Sequence, residues 1–312
     1  MAMNEHHKGI HHITVIAGDA QQNADFYVNS LGMRLVKKSV NQDDPGTYHL
    51  FYGNANGSPG SGLTFFPWSM ARQGKPGLGE AVKVSFTVPV GSEEFWAERL
   101  GREGLDFDGP YTRFGRERIG FPDPDRLQLE LVFDEQAGEL PGWDNSTVPT
   151  EHTIRGFYET TLRLQEGEPT ARVLKEVFEF EESGEDARGK RYTTDAPIGG
   201  SVVIEEGDEK PSANGRGTIH HVAFRAKDEA DQLELRKKVI EMGLNPTQVI
   251  DRHWFKSVYF QTPGGVLFEI ATDGPGYDVD EETDKLGRKL ILPPWMESYR
   301  EKIEKRLPEL NV

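Results

Sequence analysis

One motif occurs twice in this 312-residue chain, and it limits the possible folds more than any other feature. Residues 9–19 read GIHHITVIAGD, and residues 217–228 read GTIHHVAFRAKD. Both copies place two adjacent histidines at the front of an apolar alternation that ends in aspartate. Such an alternation, rich in β-branched residues, is typical of a half-buried β-strand. Its recurrence predicts a chain built from repeated structural units.

The repeat extends to four units of about 55–65 residues each. Every unit begins with an alternating strand, continues into a helical stretch, and ends in two or three further strands separated by turn residues. The opening strands are HHITVIA, AVKVSFTVPV, IRGFYETTLRL and GTIHHVAF, and the helical stretches that follow include QQNADFYVNSLG and SEEFWAERLGREG, with Ser92 as a predicted N-cap. The segment PPWMESYREKIEKRL predicts one more helix at the surface.

A segment rich in turn formers, residues 141–152, separates the second unit from the third. We therefore expect an N-terminal half of two units over residues 1–148. The C-terminal half, residues 149–312, would hold two units and a C-terminal tail.

This repeat predicts an α+β fold made of four βαβββ modules. One module has a curved sheet with a helix on its outer face, and it cannot enclose a core alone. Two modules side by side form an open β-barrel, here called a cup, with the helices outside. Four modules would form two cups.

Composition excludes several classes of function. The chain has no cysteine, so thiolate metal sites, cysteine nucleophiles and disulfides are ruled out. Its formal net charge of −16 argues against nucleic acid and anionic membranes as partners, and leaves a homo-oligomer open. No apolar run approaches the ~18 residues of a membrane span, and the first residues lack a signal-peptide core. We expect a cytoplasmic location.

The parity of the strands separates the two histidines of each pair. Neighbouring side chains in a strand point to opposite faces, and the more apolar face should pack against the helices. This reasoning points His12 and His221 into the cup and leaves His11 and His220 behind them. A lone histidine on a strand is more often a packed core residue than a ligand, but the same pair in two repeats favours a shared function.

The last strand, VLFEIATD, adds a carboxylate to this face. Glu269 alternates with the helix-facing residues Phe268 and Ile270, so it should point into the cup. A buried lone carboxylate is costly unless it is paired or binds a cation. Two imidazoles and one carboxylate form the facial triad of non-haem Fe(II) sites, which leaves coordination positions open. We therefore predict His12, His221 and Glu269 as the ligands of Fe(II).

The other two units do not offer this set. Their opening strands contain no histidine at the corresponding place, although Glu130 in RLQLELVFD aligns with Glu269. Units one and four should therefore share the cup that binds metal, and units two and three should form the second cup. Glu130 is better explained as an ion-paired structural residue.

At these residues the chain resembles the vicinal oxygen chelate superfamily, which includes glyoxalase I, bleomycin-resistance proteins and extradiol dioxygenases. Within it, the chain is most similar to hydroquinone-type ring-cleaving dioxygenases. The likeness runs through GIHHITVIAGDAQQNADFY, DDPGTYHLFYG, GLTFFPW, RFGRERIGF, GTIHHVAFRAKD and TPGGVLFEIATD. It implies an Fe(II) enzyme that opens a dihydroxylated aromatic ring with dioxygen.

The resemblance also implies roles for individual residues. His12, His221 and Glu269 would hold the metal, as strand parity predicts. Arg252 and Tyr259 match positions near the substrate, where they would stabilise negative charge and hydrogen-bond the substrate or oxygen. His11 and His220 would lie behind the ligands and relay a proton.

Three alternatives share this fold. A glyoxalase-type isomerase or lyase would use four protein ligands, including two carboxylates, and the strand SGLTFFPW offers no acid. A metal-free resistance protein that binds small molecules would not need the triad. A catechol-cleaving enzyme would differ only in its substrate, and the sequence leaves the choice between a para-diol and an ortho-diol open.

Further residues have two interpretations each. His49 in TYHLFYG would line the same cup or belong to the core, and the aromatic run over residues 65–68 would form a pocket wall or pack internally. His152 is predicted to be non-catalytic, and His6 and His7 are predicted to belong to a mobile N-terminus.

Overall fold

The structure of the protein is a computed structural model that describes residues 8–312. The predictions for His6 and His7 therefore lie outside the described residues. The described chain contains sixteen strands: β1 (Ile10–Ala17), β2 (Arg34–Val40), β3 (Tyr48–Gly53), β4 (Gly62–Pro67), β5 (Glu80–Pro89), β6 (Asp108–Arg113), β7 (Arg116–Pro122), β8 (Gln128–Asp134), β9 (Gly156–Leu164), β10 (Glu181–Glu185), β11 (Gly189–Thr193), β12 (Ser201–Glu206), β13 (Thr218–Ala226), β14 (Ile250–Asp251), β15 (Phe255–Gln261) and β16 (Leu267–Pro275).

The strands form two eight-stranded sheets with the same plan. The first has the order β14-β15-β16-β13-β1-β4-β3-β2, and the second has the order β10-β11-β12-β9-β5-β8-β7-β6. In each sheet the opening strands of two units pair antiparallel at the centre, and each pairs in parallel with the last strand of its own unit. Units one and four thus form the first cup, and units two and three form the second. The predicted α+β class and module pairing are confirmed.

Each sheet contains strands from both halves of the chain. The first sheet joins unit one to unit four, and the second joins unit two to unit three. The crossing from unit two to unit three passes through residues 135–155, which contain two short 3₁₀ turns. The division of the chain at residue 148 stays a prediction.

The described residues contain five α-helices: α1 (Ala20–Ala24), α2 (Glu93–Arg102), α3 (Glu168–Glu176) and α4 (Glu229–Glu241) lie between strands, and α5 (Arg300–Glu304) follows the last strand. Helix α1 begins at the N-cap Asp19, whose carboxylate accepts from the Gln22 amide at 2.8 Å, and continues as a π-helix to Ser30. The helix predicted for PPWMESYREKIEKRL is shorter than expected, since a 3₁₀ turn covers its first part and only α5 is α-helical.

Ser92 precedes α2 as predicted, but its side chain does not cap the helix. Its hydroxyl instead pairs with Nδ1 of His152 at 2.9 Å. The His152 ring also stacks on Phe95, with centroids 4.3 Å apart, so this histidine joins the linker to α2.

Two apolar regions hold the first cup together. The main core fills the space between the helices and the outer faces of the sheets. A smaller cluster lies on the inner face of the first cup and consists of Val36, Phe51, Ala223, Trp254, Phe255, Ala271, Tyr277 and Leu286. Two of these residues come from the segment after β16, which covers the cup.

The segment after β16 is also held by charge. Lys37 is completely buried, and its ammonium group lies 2.6 Å from Asp280 and 2.5 Å from Glu281. The Trp254 indole donates to Asp280 at 2.9 Å. These contacts fasten the C-terminal tail over one end of the first cup.

Candidate metal centre

Three side chains from distant parts of the chain converge inside the first cup. Nε2 of His221 lies 2.9 Å from Oε2 of Glu269, and Nε2 of His12 lies 3.2 Å from the same oxygen. The two Nε2 atoms are 3.3 Å apart. All three residues are buried, and they form a set of His and Glu ligand atoms close enough to hold one metal ion.

Strand register explains why these residues meet. Ala223 on β13 lies opposite His12 on β1 and opposite Glu269 on β16. His221 lies two residues before Ala223 and faces Thr14 on β1. Because side chains two apart share a face, the three ligand candidates project into the same side of the sheet.

The first histidine of each pair contacts the second through its ring. Nδ1 of His11 lies 2.9 Å from Nδ1 of His12, and Nδ1 of His220 lies 2.8 Å from Nδ1 of His221. One nitrogen in each such pair must carry the hydrogen. A proton placed on Nδ1 of His12 or His221 leaves the Nε2 of that ring with a free lone pair, which is the form that binds a metal.

The side chains of His12, His221 and Glu269 are suited to bind a metal ion. Neither carboxylate oxygen of the completely buried Glu269 accepts a hydrogen bond among residues 8–312. With the imidazole protons on Nδ1, three electron-rich atoms lie within 3.3 Å of one another and repel each other. A cation between them would remove this repulsion, and two nitrogens with one oxygen suit a first-row transition metal.

Protonation at the site favours metal binding as well. Burial, together with the neighbouring His12, lowers the pKa of His11 to about 3, and burial beside His221 lowers the pKa of His220 to about 4. Burial likewise lowers the pKa of His221. Burial opposes ionisation of Glu269, but the adjacent imidazoles outweigh it and hold its pKa well below the usual range. At neutral pH the site therefore offers the neutral imidazole of His221 and the carboxylate of Glu269.

A cleft opens beside the three ligand candidates. Its walls are mainly aromatic, with a few polar groups at the rim, which is the usual composition of a pocket for a small aromatic ligand. The lining residues are His12, Thr14, Asn41, Gln42, Asp43, His49, Phe51, Phe66, His221, Arg252, Trp254, Phe255 and Tyr259.

Arg252 and Tyr259 both line this cleft. Tyr259 lies opposite Glu269 in the β15–β16 pair, and its ring lies 5.6 Å from that of His221. The Arg252 guanidinium lies 5.6 Å from the centre of the Tyr259 ring and donates to Asp43 at 3.0 Å. Burial and the negative charge of Glu269 raise the pKa of Tyr259, so its hydroxyl keeps its proton at neutral pH.

The other sequence candidates are divided between the cleft and the core. His49 lines the cleft, whereas His11 and His220 do not. Of the aromatic run at residues 65–68, only Phe66 reaches the cleft, while Phe65 packs in the main core.

Sequence reasoning missed the loop of residues 41–43, which forms part of the rim. The Gln42 amide donates to the Arg252 carbonyl at 3.0 Å, and so joins the loop to the segment before β15. The string NQDDPG marks a turn but carries no signal that it meets a segment two hundred residues away.

Within residues 8–312, no helix combines the length and apolar character that a membrane crossing requires.

The sequence profile of the Glyoxalase/Bleomycin resistance protein/Dioxygenase superfamily matches residues 9–131 and again 157–270. Over 307 residues the chain is 42% identical to MhqO of Bacillus subtilis strain 168, named as a candidate ring-cleaving dioxygenase, and the match covers 97% of each protein.

A second relative carries a substrate in its name. The chain is 35% identical over 316 residues to a chlorohydroquinone/hydroquinone 1,2-dioxygenase of Sphingobium indicum, with 97% of each protein covered.

Solved structures agree with the fold. A crystal structure of a candidate dioxygenase from Bacillus subtilis superposes with a TM-score of 0.94 at 41% identity, covering 97% of each chain. Glyoxalase I from Zea mays shares the fold, with a TM-score of 0.61 at 16% identity, covering 85% of this chain and 92% of the other. The resemblance noted in the sequence is confirmed, and the chain belongs to the glyoxalase, bleomycin resistance protein and dioxygenase superfamily.

Proposed function

We propose that this protein is an Fe(II)-dependent ring-cleaving dioxygenase that acts with dioxygen on a hydroquinone-type aromatic compound. The observation that carries the proposal is the convergence of three buried ligand atoms, within 3.3 Å of one another, beside an aromatic cleft. Three protein ligands leave positions open on an octahedral metal, as reactions of dioxygen at non-haem iron require.

His12, His221 and Glu269 would hold the iron. When bound, the iron would supply adjacent positions for substrate and dioxygen and the redox chemistry that lets the two react. The protein provides the environment: burial keeps bulk water away from the ligands, and the aromatic walls hold a flat ring.

Arg252 and Tyr259 would act on the substrate. The arginine is a permanent cation at the cleft, so it favours a substrate oxygen that has lost its proton. The tyrosine keeps its own proton and can donate it in a hydrogen bond to that oxygen. Asp43 accepts a hydrogen bond from the guanidinium at 3.0 Å, which helps to hold it beside the Tyr259 ring.

The histidines behind the ligands would have a different role. His11 and His220 contact the ligand rings through Nδ1 and do not line the cleft. They would therefore fix the orientation and tautomer of His12 and His221. Proton transfer by either would have to pass through the ring of its neighbour, so orientation is the role that the contacts support better.

The names of the relatives support this choice of reaction. The relative from Sphingobium indicum is named for chlorohydroquinone and hydroquinone, and MhqO is named for ring cleavage. Because both matches cover nearly the whole chain, the strands that carry the three ligand candidates are included in the similarity.

The test is anaerobic loading with Fe(II), followed by oxygen-uptake assays with hydroquinone and catechol side by side. We expect consumption of one dioxygen for each hydroquinone and a ring-opened product by mass spectrometry. The apoprotein and a zinc-loaded sample serve as controls and should be inactive. Turnover without oxygen, or with zinc but not iron, would instead favour a glyoxalase-type isomerase or lyase.

A further inference from the structure

The second cup contains a buried charge cluster at the place that corresponds to the metal centre. In the first cup, Ala223 lies opposite both His12 and Glu269. In the second cup, Ser85 lies in the same way opposite both Glu159 and Glu130.

The correspondence extends to the third ligand position. Lys83 lies two residues before Ser85, just as His221 lies two residues before Ala223. The register therefore places Glu159 at the position that corresponds to His12. In the same way Glu130 corresponds to Glu269. Lys83 corresponds to His221.

A guanidinium nitrogen lies between the two carboxylates. Nη1 of Arg118 is 2.6 Å from Oε2 of Glu130 and 2.6 Å from Oε1 of Glu159. All three side chains are 0% exposed. Lys83 completes the cluster, with its ammonium group 3.1 Å from the other Glu130 oxygen.

Further contacts satisfy both carboxylates. Glu130 accepts from the Ser85 hydroxyl at 2.8 Å and from the Tyr111 hydroxyl, and Glu159 accepts from the Ser201 hydroxyl at 3.3 Å. This differs from the first cup, where Glu269 accepts no hydrogen bond within the described chain. Both carboxylates of the second cup therefore have partners, whereas Nε and Nη2 of Arg118 make no hydrogen bond among the described residues.

We propose that Arg118 is a built-in cation that takes, in the second cup, the place that a metal ion takes in the first. The duplicated architecture thus gives two equivalent cation sites, of which one is filled by a side chain and one is open to a metal. One chain would bind one catalytic metal ion, and the second cup would fold without any. The proposal rests on strand register and ion-pair geometry, and not on the reaction in the first cup.

The test is a set of neutralising variants examined by thermal unfolding in the presence of a chelator. Arg118→Met removes the cation that two buried carboxylates share and leaves only Lys83, 3.1 Å from Glu130, and Arg191, 3.8 Å from Glu159. The midpoint should therefore fall by about 10 °C. The triple variant R118M/E130Q/E159Q removes the charges on both sides, and it should recover at least half of that loss. Arg116→Met is the matched control, since Arg116 lies on the same strand but is 40% exposed, and it should change the midpoint little.

Two results would overturn the proposal. The triple variant could be as unstable as Arg118→Met or fail to fold, which would show that Arg118 acts through packing and not through charge. The wild-type protein could retain a second tightly bound metal ion that Glu130→Gln removes, which would make the second cup a metal site. The first measurement uses no substrate, so its failure is distinct from failure of the proposed dioxygenase activity.

A separate observation concerns the far wall of the cleft in the first cup. Nε2 of His49 lies 2.9 Å from Oγ1 of Thr64, which lies 2.8 Å from Oγ1 of Thr14. Thr14 is two residues after His12 on β1, so this chain of polar groups crosses the inner face from the metal centre to β3.

His49 lies on the wall of the same cleft that β3 contributes. Strand β3 is two strands from β1, so the backbones of the two strands are roughly 9–10 Å apart at the usual strand spacing. The His49 ring lies 3.8 Å from that of Phe51 and 4.4 Å from that of Phe66, which fixes it at this wall. His49 therefore offers a polar group in the cleft away from the three ligand candidates.

We infer that His49 binds the substrate hydroxyl remote from the metal and so selects para-diols over ortho-diols. An ortho-diol presents both hydroxyls to the metal and leaves His49 without a partner, whereas a para-diol presents one hydroxyl to each. This inference depends on the proposed function, because it refines the substrate of the same site.

The test is anaerobic calorimetric titration of the Fe(II)-loaded protein with hydroquinone and with catechol. His49→Phe keeps a flat ring and removes both nitrogens, so the dissociation constant of hydroquinone should rise about tenfold. That of catechol should change less than about twofold. Phe66→Leu is the control, because it widens the same wall and should weaken both diols alike.

Equal weakening of both diols by His49→Phe, or a wild-type protein that binds catechol as tightly as hydroquinone, would overturn the role of His49. The binding measurement needs no turnover. Intact binding selectivity without oxygen uptake would contradict the proposed reaction and leave the selectivity of His49 supported.

Discussion

Nε2 of His221 and Oε2 of Glu269 lie 2.9 Å apart, on adjacent parallel strands of the first cup. His220 occupies the other ring nitrogen of His221, so the proton that would make this contact an ordinary hydrogen bond has an alternative place on Nδ1. The same carboxylate oxygen lies 3.2 Å from His12. The arrangement is therefore better suited to a shared cation than to a hydrogen-bonded cluster.

Glu269→Gln should abolish iron binding, because the amide keeps the shape of the ligand but removes its charge. We expect iron affinity to fall by more than about 100-fold, since even partners outside the ligand set contribute 10–100-fold. The measurement is competition with a chelator followed by metal analysis. Glu130→Gln, at the corresponding position in the second cup, is the control and should retain iron. One iron ion per chain in Glu269→Gln would contradict the assignment.

His220→Ala should weaken iron binding without removing a ligand. Its ring holds Nδ1 of His221 at 2.8 Å, and loss of that contact lets the ligand ring rotate and change tautomer. We expect a 10–100-fold loss of affinity in the same chelator assay, with an unchanged midpoint of thermal unfolding for the metal-free protein. His220→Asn retains a polar partner and should recover part of the affinity. Wild-type affinity in His220→Ala would show that the contact has no orienting role.

Tyr259→Phe should lower turnover and leave the iron content unchanged. Its side chain lines the cleft and its hydroxyl keeps its proton at neutral pH, so the variant should lack a donor to the substrate oxygen. We expect kcat to fall by about 100-fold or more, measured by oxygen uptake.

Tyr277→Phe is the matched control for that experiment. Tyr277 is a buried tyrosine of the same cup, and its hydroxyl makes no hydrogen bond among the described residues. This variant should retain wild-type turnover, and its stability should be equal or higher because an unsatisfied buried hydroxyl is lost. Unchanged kcat in Tyr259→Phe would reject a catalytic role for that hydroxyl.

Stability should decrease from pH 5 to pH 8, in part because of Glu80. Burial raises the pKa of this carboxyl to about 7 in the folded protein, against an ordinary value near 4.5. The folded state therefore binds the proton more tightly than the unfolded state. Its stabilising contribution is complete below pH 4.5 and is lost as the pH rises through 7.

Glu80→Gln should remove that part of the pH dependence. From pH 5 to pH 8 the wild type should lose about 2–3 kcal/mol of unfolding free energy through Glu80, and the variant should not. Urea unfolding at the two pH values measures the difference. Glu94→Gln, on the exposed face of α2, should leave the pH dependence as it is. A wild-type slope in Glu80→Gln would show that this carboxyl has the same pKa in both states.

Much of the fold and of the candidate site followed from local patterns. The alternation around His12 and His221 predicted which imidazole faces the cup, and the same rule placed Glu269 on that face. The repeat predicted the modules, and the uneven distribution of ligand candidates predicted that units one and four share a sheet. These inferences worked because side-chain parity in a strand depends only on the backbone geometry of that strand.

Other features depended on contacts that no local pattern encodes. Ser92 has the residue type and position of an N-cap, yet His152 captures its hydroxyl. The loop at Asp43 joins Arg252 only because the two segments pack at the same rim. The partner of Glu130 could be expected to be basic, but that Arg118 also binds Glu159 was not visible in the sequence.

The amino-acid sequence by itself therefore determined the βαβββ modules and the orientation of His12, His221 and Glu269, since both follow from periodicities within single strands and helices. The tertiary structure alone decided which loops form the rim of the cleft, that His49 lines the same cleft as the three ligand candidates, and that Arg118 contacts both Glu130 and Glu159. Those features arise from side chains far apart in the chain whose distances are set by sheet pairing and packing, and a linear pattern carries no measure of such distances.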